Sequence, residues 1–167
     1  MEPSGILVIG VGNEMCGDDA LGLHAVQALL QNPVPGVTYT QQSGEGASLI
    51  ESLRDCRAAI IVDAFSSGSV PGMIHLLDVS VTEISPRLFA SSSHAFGVAQ
   101  AIELSRQLHL LPQTSLLCGI EGASFVAGNG LSDPVLEQLP ELLETVRHML
   151  HELACEIDAG HFRDRRR

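Results

Sequence analysis

The chain has 167 residues and a formal net charge of −11, with 45% hydrophobic residues, so it is long enough for one domain whose sheet is covered on both faces. It contains no lysine, which excludes Schiff-base and lysine-base chemistry and any phosphate loop that relies on that residue. Residues 1–160 set five arginines against 19 acidic residues, a balance that repels nucleic-acid backbones and leaves only the basic tail at 161–167 as a contact for them.

The first apolar run, residues 6–9, predicts a strand that enters the Gly-rich turn GVGNEMCG and then Asp18 and Asp19. Gly10-Val11-Gly12 starts like a dinucleotide fingerprint, but Met15 stands where its third glycine belongs, so no nucleotide is expected. Asp18 suits the N-cap of the following helix, and Asp19, one position on, is free to point toward the sheet edge. Leu23, Val26, Leu29 and Leu30 give that helix its apolar face, and Asn32-Pro33 ends it. A second strand is expected at 37–40 and a second helix at 47–54.

The third strand, 59–62, is wholly apolar and ends in Asp63. In a doubly wound sheet its carboxyl end lies beside that of the first strand, at the crevice where ligands bind. Asp63 then faces Asp19. A fourth strand at 73–77 follows after residues 66–72, too few for a right-handed crossover of roughly a dozen residues, so it should run antiparallel. Ser91, Ser92 and Ser93 offer caps for a helix over 94–110, with His94 in its first turn and Phe96, Ala99, Ile102 and Leu108 on one side. The dipole at a helix start favours a neutral imidazole there, the form that binds metals or takes protons. A fifth strand is expected at 115–118. Pro134 and Pro140 read as two helix starts, the second opening a long final helix.

The expected fold is therefore a three-layer α/β/α domain over residues 1–160, with a mixed, mostly parallel, twisted five-stranded sheet whose fourth strand is antiparallel. The basic tail 161–167 reads as flexible. The N-terminus lacks a signal-peptide pattern and no run nears 18 apolar residues, so the chain reads as cytoplasmic, without a membrane partner. It is expected to be monomeric when free. Cys16, Cys56, Cys118 and Cys155 are scattered, without metal-knuckle spacing, and read mostly as buried thiols.

Asp19, Asp63 and His94, from three separate loops, make a mixed oxygen and nitrogen set suited to nickel or zinc. Two other readings stay open. Cys16 could serve as a nucleophile with His94 as base, although the acidic pair would hold its thiol protonated. His148 and His151, three apart on the last helix, could make the protein a nickel chaperone rather than an enzyme.

In order along the chain, GVGNEMCGDDALG (10–22), IIVDA (60–64), SHAFG (93–97), LCGIE (117–121) and GLSDP (130–134) resemble the NiFe hydrogenase maturation endopeptidases. The likeness runs from about residue 6 to the final helix. It implies a five-stranded α/β fold with an antiparallel fourth strand, and an enzyme that removes a C-terminal peptide from the nickel-loaded hydrogenase large-subunit precursor. It places the nickel-binding positions at Asp19, Asp63 and His94, the nickel arriving with the substrate. The chain departs from the family pattern at residues 42–47, QSGEGA, where an Asp-Gly segment is usual, at Gly122 in place of proline, and at Cys16.

Overall fold

The computed structural model describes residues 4–89 and 96–158. Strand β1 spans Ser4–Val11, β2 Val37–Gln42, β3 Cys56–Phe65, β4 Ile74–Asp78 and β5 Thr114–Glu121. Helices α1 (Leu21–Leu29), α2 (Gly46–Arg54), α3 (Val98–Gln107) and α4 (Asp133–Asp158) connect or follow them. The sheet order is β2-β1-β3-β5-β4, parallel throughout except for the β4–β5 pair. The expected architecture, antiparallel fourth strand included, is the observed one.

Strands β1 and β3 are apolar on both sides because helices cover both faces of a parallel sheet. On one face α1 and α4 bury Val8, Val26, Ile60, Val62, Leu142 and Leu150. On the other, α2 and α3 bury Ile9, Leu49, Ile61, Phe65, Ile102 and Leu117. The start of α1 lies directly on the sheet: a Cβ on Gly22 would stand 2.2 Å from the Val11 carbonyl oxygen and 2.3 Å from that of Val62. Only glycine allows that approach, and it sets the turn before α1 over the junction of β1 and β3.

Four expectations change. Pro140 does not start a helix but lies inside continuous α4. It sits on the exposed side, where Leu136 (49% exposed) leaves the unpaired carbonyl to solvent, while Val135 and Leu142 anchor the helix on either side. Helix α3 starts at Val98 behind its N-cap Gly97 rather than at residue 94, and the expected caps Ser91, Ser92 and Ser93 lie outside the described residues. Phe96 and Leu108, expected on one side of the helix with Ala99 and Ile102, are 37% and 53% exposed while Ala99 and Ile102 are buried, because the helix is shorter at both ends. Of the cysteines, Cys56 and Cys118 are buried, Cys16 is partly so and Cys155 is exposed.

Candidate active site

Strand β3 pairs with β1 on one side and β5 on the other, so the carboxyl ends of all three meet at the reversal of strand order. Ligands of open α/β sheets bind there. Asp63 does not end β3, as the apolar run suggested. The strand continues to Phe65 because β5 pairs with it as far as Glu121. Asp63 is thus fixed within the ladder, opposite Gly119, and is 5% exposed. No side chain from position 119 crowds it from below; a Cβ there would stand 1.7 Å from the Asp63 carbonyl oxygen.

Asp19 lies in the 3-10 turn Gly17–Ala20 that leads into α1, partly buried. Its carbonyl accepts from the Asn13 N–H at 3.2 Å, and its own N–H donates to the Cys16 carbonyl at 3.2 Å. The structure brings Asp19 and Asp63 together closely enough to interact through charge. Burial pushes the Asp63 carboxyl well above the ordinary aspartate range, and the negative charge of Asp19 raises it further. The Ala64 N–H, donating to Asp63 Oδ1 at 2.8 Å, offsets only part of this. Two carboxylates held in one crevice disfavour ionisation of the buried one, and a cation between them would reverse that. Both carboxylates are oxygen donors of the kind that could share a metal ion with a further ligand. His94, the third expected member, lies outside the described residues.

Asp18 was expected to cap α1. It does not: the N-cap position of α1 is Ala20, with no side-chain cap bond, and the fully buried Asp18 carboxylate accepts hydrogen bonds from residues 123–132 instead.

A fourth acidic residue had no role in the sequence reading. Glu121, closing β5, is 2% exposed. Its Oε1 accepts from the N–H groups of Ser67 (2.8 Å), Gly68 (2.9 Å) and Ser69 (3.2 Å). Its Oε2 accepts from Ser67 Oγ (2.9 Å) and lies 3.0 Å from His75 Nε2. Burial acts to raise this carboxyl, but the bonds from Ser67, Gly68 and His75 outweigh it and hold it below the ordinary glutamate range. His75 is stacked on Phe65 with ring centroids 4.5 Å apart. Glu121 thus fastens the loop that follows β3. The signal was present in the sequence, since an apolar run ending in an acid is the pattern that singled out Asp63.

Beside the turn, a groove of about 600 Å³ runs between Gly12, Asn13, Glu14, Met15 and Leu23 on one bank and Gln41, Gln42 and Ser43 on the other. On α4, His148 Nε2 lies 3.3 Å from Glu152 Oε1, with both side chains exposed. Among the described residues no three His, Cys, Asp or Glu side chains gather as a metal site.

The fold around this acidic pair is that of a group of solved endopeptidases. An endopeptidase from Escherichia coli solved in solution superposes with a TM-score of 0.76 at 30% identity, covering 91% of this chain and 93% of that one. The hydrogenase maturating endopeptidase of E. coli gives 0.72 at 27% identity, with the same coverage. The sequence narrows the class. The model of the hydrogenase maturation protease family matches residues 42–149. The hydrogenase 2 maturation protease of E. coli K12 is 32% identical over 157 residues, 90% of this chain and 93% of its own length. A hydrogenase expression/formation protein of Azotobacter vinelandii is 26% identical over 158 residues, 91% of this chain and 75% of that protein. The chain belongs to the hydrogenase maturation protease family and is a hydrolase.

Proposed function

We propose that this protease removes the C-terminal extension of a hydrogenase large-subunit precursor that already carries nickel, and that Asp19, Asp63 and His94 grip that nickel. The carrying observation is the Asp19–Asp63 pair, two acidic groups brought to one crevice by a 3-10 turn and by strand β3 and electrostatically opposed until a cation joins them. Nickel arrives as part of the substrate, and its charge would polarise the peptide bond brought beside it. The chain's own residues do the positioning. The ladder of β3 fixes Asp63, the 3-10 turn fixes Asp19, and together they orient the precursor's tail against them.

Burial of Asp63 also supports selectivity, because it raises the cost of ionising that carboxyl. A precursor without nickel offers nothing that repays ionising a buried carboxyl, so it should not be held in register. In this reading metal loading, rather than tail sequence, licenses cleavage. Incubating the protein with nickel-loaded and with nickel-free precursor, then weighing both products by intact mass spectrometry, tests it. Loss of a C-terminal peptide from the loaded form alone is expected. Equal cleavage of both would refute metal-directed recognition.

A further inference from the structure

One residue before Asp19 stands a carboxylate with an unusual set of partners. Asp18 is fully buried, and four hydrogen bonds reach its side chain from the segment that joins β5 to α4. Oδ2 accepts from the Ala123 N–H at 2.7 Å, the Ser124 N–H at 2.9 Å and Ser132 Oγ at 2.8 Å, while Oδ1 accepts from the Ser132 N–H at 2.7 Å. These partners lie more than 100 positions away in sequence, the nearest at a separation of 105. The two backbones answer each other as well. Asp18 N–H donates to the Ser124 carbonyl at 2.8 Å, Gly17 N–H to that of Asn129 at 3.2 Å, and Gly128 N–H to that of Met15 at 2.8 Å.

A buried charge is tolerated only when its lone pairs are met, and four donors meet these. The result is two loops, 13–20 and 122–132, stitched together by this side chain and three backbone hydrogen bonds. We propose that Asp18 is a positioning residue of the protease: its carboxylate locks segment 122–132 against the turn and so fixes the backbone from which Asp19 enters the crevice. This rests on the reading of Asp19 as a group that engages the substrate. Asp18 itself touches no substrate. Its effect is read in the limiting rate of the step that Asp19 supports.

The test is single-turnover processing of nickel-loaded precursor under excess protease, giving a limiting rate and a half-saturating protease concentration. It is run where circular dichroism shows each variant folded. Asp18→Asn keeps the volume but turns one acceptor into a donor facing N–H groups. Its limiting rate should fall by at least about tenfold, as expected for a sub-ångström misplacement. Ser132→Ala removes a single donor, keeps the fold, and should lower the same rate by about two- to fivefold. A wild-type limiting rate in folded Asp18→Asn overturns the proposal; if that variant does not fold, a wild-type rate in Ser132→Ala does so. A change confined to half-saturation also overturns it and makes the segment a contact surface for the precursor. Asp19→Asn, run in parallel, separates the failures. If it is inactive while Asp18→Asn works normally, only this inference falls; if it works normally, the reading of Asp19 falls and takes this one with it.

Discussion

Asp63 and Glu121 occupy comparable places on neighbouring strands, and their surroundings drive them in opposite directions. Burial, then the Asp19 charge, raises Asp63, so the folded state holds its proton more tightly than the unfolded chain does. The stability this contributes is complete below the unfolded aspartate pKa of about 3.9 and is lost as pH rises through the folded value. Asp63→Asn removes that loss while keeping an oxygen to accept from Ala64. Its melting temperature at pH 7 should exceed that of the wild type, by about 2–4 °C for each kcal/mol gained, while processing is abolished. A lower melting temperature in thermal denaturation would contradict this. Glu121 is the reverse case, held below its ordinary range, so its contribution is present above about pH 4.3 and disappears as pH falls through the lower folded value. Glu121→Gln should cost about 1.5–3 kcal/mol in urea unfolding at pH 7. The gap from wild type should close in acid.

At the scale of elements, the β1–turn–α1 unit carries the site, and Gly22 is where it is most exposed to damage. Gly22→Ala drives a methyl against the backbones of both β1 and β3. It should cost about 1–3 kcal/mol in chemical denaturation and slow processing, since α1 and the Asp19 turn would lift together. The same unit shows how far the sequence could be read. Strands β1 and β3 announced themselves as unbroken apolar runs, and their adjacency followed from doubly wound topology, so the meeting of Asp19 with Asp63 was foreseeable. The roles of Asp18 and Glu121 were not, because their partners at 123–132 and 67–69 are set by tertiary docking rather than spacing. Pro140 misled for a related reason. A proline in a helical pattern signals a start, yet packing on both sides of it keeps α4 whole.

For the whole molecule, two cores of different make-up flank the sheet, and α4 closes the larger. Leu150, fully buried there, lies on the face opposite the acidic crevice's Asp63 layer. Leu150→Ala should cost about 2–5 kcal/mol of global stability, read from denaturant midpoints, with little change in processing rate per folded molecule. Among the described residues no helix is long and apolar enough to cross a membrane. The account as a whole depends on the acidic pair acting on a metal-bearing substrate. The most direct measurement is therefore the C-terminal mass of nickel-loaded precursor after incubation with wild-type protein, Asp19→Asn and Asp63→Asn, each verified as folded. Shortening by the wild type with an intact precursor in both variants is the predicted result; complete shortening by either variant would contradict the account.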